Sequence, residues 1–241
     1  MASDKTAVRK ILDKVKAEGR TSLTAPEGKL VCDAYGIAVP KEGVATSAAE
    51  AAKLASAMGF PVVLKIVSPT ILHKTEAGGV LVGVKSKEDV ERGFATIMEN
   101  AKKYDPKADL LGVQVQQMLS GGQEVIIGAV TDPSFGKLVA FGLGGILVEV
   151  LKDITFRLAP ATREDALSML DGIAAAEVLK GVRGAAAVDR NSLASLIQNV
   201  SQLITDFPEI SEMDLNPVFA TKSGATAADV RIVVDWNPPE A

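Results

Sequence analysis

Apolar residues recur at helical spacing through Val8, Ile11, Leu12 and Val15, which predicts an amphipathic helix over 5–18 that Gly19 ends. Thr24-Ala25-Pro26-Glu27 has the form of a capping box with proline in the first turn. Leu30, Val31 and Ala34 give the helix that follows an apolar face, and Gly36 stops it. Residues 37–44 read as extended, broken at Pro40. Ser47-Ala48-Ala49-Glu50 repeats the capping signature ahead of an alanine-rich helix that ends near Gly59. The β-branched run 61–67 (PVVLKIV) and the run 80–84 predict strands on either side of a polar loop over 68–79. Ser86 caps a helix to about Lys103. Residues 111–118 (LGVQVQQM) and 124–130 (EVIIGAV) predict strands joined across Ser120-Gly121-Gly122, and 137–143 a strand that runs into Gly144-Gly145. Thr162-Arg163-Glu164-Asp165 opens a helix with acids where its dipole favours them. A long amphipathic helix over 191–207 precedes strands over 210–218 and 230–235, and Asn237-Pro238-Pro239 ends the regular structure. There is no repeat and no low-complexity linker. The alternation predicts an α+β chain of two sub-domains, 1–118 with the leading helix and 119–241.

Composition narrows the chemistry. A length of 241 residues, 47% of them hydrophobic, supplies a real core. Lys and Arg number 26 against 30 Asp and Glu, a net charge of −4, and aromatics are only 4%. Such a chain lacks both the basic footprint and the stacking platforms of a general nucleic-acid binder. One cysteine, Cys32, and one histidine, His73, exclude an intramolecular disulfide and a Cys/His zinc site. A metal here is held by oxygen, which points to magnesium, calcium or manganese. No run reaches the roughly 18 apolar residues of a membrane span. Residues 1–10 lack the apolar core of a secretory signal, so the cytoplasm is the expected compartment.

Four places carry candidate chemistry. Lys65 interrupts the apolar run PVVLKIV, either as an outward lysine on a half-exposed strand or as a point charge aimed at a nucleotide phosphate. His73 stands in the polar loop beside Lys74, either structural or an accessible imidazole nucleophile. The glycine turn in 141–149 (FGLGGILVE) is either an ordinary tight turn or a backbone cradle for an anion, and no GK[ST] follows it. Glu212, Asp214 and Asn216 alternate in SEMDLNPV, so all three leave one face of a strand, and Asp235 ends the next strand in IVVDW. Hard oxygen donors on neighbouring strands suit magnesium, with substrate phosphates and water completing its shell. The competing reading is a solvated polar face.

Together, the runs VVLKIVSPTILHKTEAGGV, FGLGGILVEVLKDITFRLAP and EMDLNPV followed by VVDW closely resemble the ATP-grasp (β) subunit of the NDP-forming acyl-CoA synthetases, over about residues 20–236. Typical members are the ADP-forming acetyl-CoA synthetases, relatives of succinyl-CoA synthetase. The resemblance implies an ATP-grasp fold of two α+β sub-domains with the nucleotide site between them. It implies the reversible conversion of acyl-CoA, phosphate and ADP into acid, CoA and ATP. A CoA-binding α subunit is then the partner, in an α2β2 assembly. The opening Met1 and the capped first helix suggest a free-standing subunit instead of a piece of the longer fused enzymes. His73 matches the histidine thought to relay the phosphoryl group in the acetyl-CoA branch, which succinyl-CoA synthetase lacks. Lys65 matches a phosphate contact, and Asn216 and Asp235 match magnesium ligands with Asp214 beside them. Gln116, Gln117 and Met118 fall on the hinge that meets the adenine, Glu124 on an acid facing the nucleotide, and Glu149 on a residue that orients the phosphorylated loop. Arg157 is a further guess for phosphate. A stand-alone ATP-grasp ligase working through an acyl phosphate, and a non-catalytic nucleotide-sensing module, are the alternatives.

Overall fold

The computed structural model describes residues 3–71, 73–145, 153–182 and 186–238. In chain order the elements are α1 (Lys5–Ala17), α2 (Ala25–Ala34), β1 (Glu42–Ala45), α3 (Ala48–Met58), β2 (Val62–Val67), β3 (Val80–Val84) and α4 (Lys87–Tyr104). β4 (Gly112–Gln117), β5 (Gln123–Asp132), β6 (Gly136–Leu143) and β7 (Ile154–Leu158) follow. Then come α5 (Arg163–Gly172), a 3-10 turn (Ala176–Lys180), α6 (Arg190–Asp206), β8 (Ile210–Thr221), β9 (Gly224–Ala227) and β10 (Val230–Val234). Among the described residues, no helix is long and apolar enough to cross a membrane.

The chain divides into two compact units. One holds residues 24–26 and 40–119, built on a four-stranded sheet of order β1-β4-β2-β3. α3 and α4 cover one face, where Ala51, Ala55, Val90 and Ile97 meet Leu64, Ile66, Val113 and Val115 in a closed core. Both helices begin at serines: Ser47 Oγ accepts from the N–H of Glu50 at 3.3 Å and Ser86 Oγ from Asp89 at 3.1 Å. Such caps contribute about 1 kcal/mol each. The Glu50 carboxylate reaches one residue further back than the capping signature predicts, accepting from the N–H and hydroxyl of Thr46 at 2.9 and 3.0 Å.

The other unit takes the described residues of Met1–Leu23, Glu27–Val39 and Ser120–Ala241. Its six strands run β10-β8-β5-β6-β7, with β9 paired to β8. β7 and β9 lie on ground where the sequence pattern marks no strand. β9 reads only Gly-Ala-Thr-Ala, and its pairing comes from the tight return after β8. α5 and α6 pack on the sheet, and α5 carries a full capping box between Thr162 and Asp165.

The leading helix corrects the expected partition. Val8, Leu12 and Val15 of α1 are fully buried in the core of this second unit, with Leu203, Phe207 and Val234, and not with residues 40–119. An amphipathic stripe requires an apolar surface, and the backbone dictates which one. Ser22 bridges Val233 and the N–H of Leu23 donates to Ile232 O at 3.0 Å, so the α1–α2 connection is laid along β10. Arg20 holds that connection through Glu18 and Glu27, while its carbonyl accepts from Trp236 Nε1 at 2.7 Å. Cys32 is a buried core residue.

Asp206 closes the same seam. Its carboxylate accepts from Lys5 Nζ at 2.7 Å, Tyr35 Oη at 2.7 Å and Gln202 Nε2 at 2.9 Å. Burial would raise its pKa, but the three donors outweigh it and hold it below the usual carboxylate value. A depressed folded-state pKa adds stability that is complete above the unfolded value and is lost as pH falls through the folded one. Asp206→Asn is expected to lose about 1–3 kcal/mol at pH 7. The deficit relative to wild type should shrink when urea melts are repeated near pH 3, and a deficit that does not change with pH would refute the ionic account.

Candidate functional site

In the unit of residues 24–26 and 40–119, Lys65 lies in β2, whose six residues are all buried. Its register partners are Gln114 on β4 and Val80 on β3, and it is only 8% exposed. The half-exposed outward lysine is therefore not what the fold produces. A buried ammonium is costly unless its surroundings answer it, which marks the face it shares as polar by design. Two residues along the same face of β4, Gln116 donates from Nε2 to Glu42 Oε2 at 3.1 Å. Gln117 closes the strand with its N–H on Lys41 O at 2.8 Å, and Met118 follows, half-buried.

The loop after β2 carries His73. Ser68 Oγ accepts from the N–H groups of Thr70 and Ile71, both at 3.2 Å, and Thr70 Oγ1 accepts from Asp109 N–H at 3.3 Å, which fixes the loop's start. Its end folds into turns: Ala77 N–H reaches His73 O at 3.1 Å and Gly79 N–H reaches Lys74 O at 2.8 Å. Asn100 Nδ2 on α4 holds Gly78 O at 3.0 Å. The His73 side chain projects outward, 65% exposed, with Glu76 Oε1 4.0 Å from Nδ1. An imidazole so placed is open to a reactant from solvent or from a partner.

In the other unit, β8 alternates. Met213 and Leu215 are buried, while Glu212, Asp214 and Asn216 take the opposite face, and the register shift opposite Val125 and Ile127 then returns Val218 to the buried side. β10 runs antiparallel with Arg231 against Asp214 and Val230 against Leu215. One step further along, this register sets Asp229 against Asn216, and the neighbouring Ala228 N–H donates to Pro217 O at 2.9 Å. Burial, then the charges of Glu212 and Asp229, push the Asp214 carboxyl above its usual value, with Arg231 opposing. Asp235 is at the other end of the ladder. Its N–H donates to Glu209 O at 2.8 Å and its carboxylate caps Asn237 N–H at 2.9 Å. The seven residue steps from Glu209 along β8 to Asn216 span about 23 Å, so Asp235 does not share a site with Asn216. This corrects the expected metal pair. The residue that sequence reasoning missed is Asp229, and the signal for it was the short β8–β9–β10 return, which brings the chain back at Ala228.

Glu124, the second residue of β5, lies beside the glycine turn. Gly144 N–H donates to its carbonyl at 2.8 Å, and a Cβ at Gly144 would stand 3.0 Å from its backbone carbon. The turn thus requires glycine for close approach. Glu149 lies outside the described residues. Arg157 on β7 donates from its guanidinium to Ser168 Oγ at 2.9 Å and Phe156 O at 2.8 Å. Among the described residues, no group of three or more His, Cys, Asp and Glu is arranged around a metal position. The oxygens of Asp214, Asp229 and Asn216 are instead a partial set of hard donors, which suits a cation that completes its shell with ligand oxygens and water.

Residues 14–234 match the model of the ATP-grasp domain family. The chain is 49% identical over 226 residues to the acetate–CoA ligase (ADP-forming) I subunit beta of Pyrococcus furiosus, covering 94% of this chain and 97% of that one. Among solved structures, it is similar to an acetyl-coenzyme A synthetase of Ca. Korarchaeum cryptofilum in complex with coenzyme A and Ca-AMPCP. That match has a TM-score of 0.91 and 41% identity, and covers 94% and 99% of the two chains. The same enzyme with coenzyme A and Mg-AMPPCP, its phosphohistidine segment pointing towards the nucleotide binding site, matches at a TM-score of 0.83 and 38% identity, over 95% and 100%.

The His73 loop depends on its closing glycine. A Cβ at Gly79 would meet Ile66 Cγ2 at 2.5 Å and Lys74 O at 3.0 Å, while Ile66 N–H bonds Gly79 O at 2.7 Å. Gly79→Ala is expected to cost about 1–3 kcal/mol by overpacking. Amide exchange should rise first in residues 73–79, and a variant with unchanged stability and exchange would show the loop to be independent of this contact.

Proposed function

We propose a function from one premise: the chain belongs to the ATP-grasp family and, within it, to the β subunits of the ADP-forming acetate–CoA ligases. It is the nucleotide-binding subunit of an ADP-forming acyl-CoA synthetase, an acid–thiol ligase. It completes the reversible reaction of acyl-CoA, phosphate and ADP to acid, CoA and ATP with a CoA-binding partner subunit. The assembly is α2β2 and works in the cytoplasm.

The observation that carries this reading is the pairing, in one unit, of a buried Lys65 on β2 with the chain's single histidine, exposed on the loop that β2 feeds. Phosphoryl transfer requires positioning and charge neutralisation more than covalent assistance. Lys65 binds the nucleotide phosphates as a point charge. Gln116, Gln117 and Met118 hold the adenine at the end of β4. Glu124, beside the glycine turn, faces the nucleotide, and Glu149 is the residue for orienting the phosphorylated loop by its match to the family run. His73 takes the phosphoryl group from the partner's phosphohistidine: a nitrogen–phosphorus bond forms on its imidazole as the donor's breaks. It then yields the group to the terminal oxygen of ADP. Dividing the transfer in this way replaces one long displacement by two short ones. Asp214, Asn216 and Asp229 hold magnesium, which when bound neutralises the nucleotide phosphates.

Two experiments test these roles. With the partner subunit, magnesium and γ-phosphate-labelled ATP, this chain is expected to acquire an acid-labile, base-stable label that His73→Ala abolishes together with turnover. Label confined to the partner in both proteins would remove the relay from His73. For the metal, Mn2+ titrations of the full chain with ADP, followed by electron paramagnetic resonance, should show Asp229→Asn weakening binding at least tenfold and Asp235→Asn leaving it unchanged. The reverse order would restore Asp235 as the ligand.

A further inference from the structure

The polar face that carries Lys65 holds one group that its neighbours do not answer. Gln114, at the centre of β4, is 2% exposed. It stands in register with Lys65 on one side and Val44 on the other. Among the described residues its Oε1 is the one buried side-chain oxygen or nitrogen with no hydrogen-bond partner. Gln116, two residues on, has its amide nitrogen engaged by Glu42. An acceptor kept dry and unpaired destabilises the fold, so a sequence that retains one in the middle of a sheet points to something that completes it.

We infer that Gln114 reads the base of the nucleotide, its Oε1 accepting from the 6-amino group of adenine while its Nε2 donates to ring N7. The inference rests on the nucleotide-binding reading above. A phosphate cannot satisfy this oxygen, because phosphate oxygens only accept. A 6-aminopurine presents a donor beside an acceptor, and a carboxamide presents the complementary pair. A 6-oxopurine presents two acceptors, O6 and N7. Whichever way the amide turns, its oxygen then opposes an oxygen or a bare ring nitrogen. A buried amide that satisfies one edge and is left unpaired by the other discriminates strongly. Gln114 thereby selects ADP and ATP over the inosine and guanosine nucleotides, a choice that the hinge backbone alone does not make plain.

The test compares ADP with inosine diphosphate, which differ at position 6 and its neighbouring ring nitrogen. Calorimetric titration of the full chain with each nucleotide, at fixed magnesium, is expected to show ADP bound at least tenfold more tightly. Gln114→Leu should lose about tenfold in ADP affinity and stay within twofold for inosine diphosphate, so the selectivity collapses. Gln114→Glu, which keeps the acceptor and the size, should keep the preference for ADP. A wild type that binds both nucleotides equally overturns the inference without any variant. So does a Gln114→Leu protein that melts normally and keeps the wild-type ratio. Equal losses for both nucleotides would assign the oxygen to a ribose hydroxyl and overturn base reading. Binding of neither nucleotide by the wild type would instead refute the nucleotide-site reading itself.

Discussion

The register of β8 is the constraint on which the candidate metal site depends. This strand pairs with β5, β10 and β9, so its side chains have little freedom to choose a face. Met213 and Leu215 are committed to the core, and that commitment sends Glu212, Asp214 and Asn216 to the other side. A slip of one residue would bury two carboxylates and expose these two apolar groups, a penalty far larger than any single interaction on the polar face. Packing energy in the core therefore positions the donors. The acids gather because the hydrophobic alternation leaves them nowhere else to go, and the cost appears in the raised pKa of Asp214, through burial first and the neighbouring charges second.

The same logic runs differently in the four-stranded sheet. There both faces of β2 and β4 are buried, so the polar residues Lys65, Gln114 and Gln116 are not on a solvated side at all. A sheet optimised for stability alone would carry valine or isoleucine at these positions. Retaining a lysine, two glutamines and an unpaired amide oxygen sacrifices stability where recognition requires polar groups that need no reorganisation. The helix-covered face compensates, with Leu64, Ile66, Val113 and Val115 fully buried against α3 and α4.

What the sequence makes legible follows from which signals are local. Capping at Ser47, Ser86 and Thr162, the β-branched run around Lys65 and the alternation through Asp214 are properties of a few adjacent residues, and the structure contains each of them. The resemblance to the synthetase β subunits rests on runs of the same local kind. The unreadable features are those decided by pairing at a distance. Asp229 and Asp235 both flank β10, and only the hairpin geometry says which one faces Asn216. An amphipathic stripe on α1 announces that it will be buried but not against which unit. VQVQQ alternates as a half-solvated strand would, so the depth of Gln114, 2% exposed, could not be seen in the pattern.

The exposed histidine completes the argument by contrast. Lys65, Gln114 and Asp214 are placed by burial and register, whereas the His73 side chain is 65% exposed on a loop whose backbone is anchored through Ser68 and Thr70 at one side and Asn100 at the other. A group that binds a substrate gains from rigidity, because ordering completed beforehand does not subtract from affinity. A group that passes a phosphoryl unit between two sites has the opposite requirement. It must present its nitrogen to one reactant and then to another, so a nitrogen locked into the core would serve neither. Glu76 Oε1, 4.0 Å from Nδ1, is too far for a hydrogen bond that would fix the ring. Anchored loop ends and an open imidazole are what a relay needs, just as buried Lys65 and Gln114 are what recognition needs.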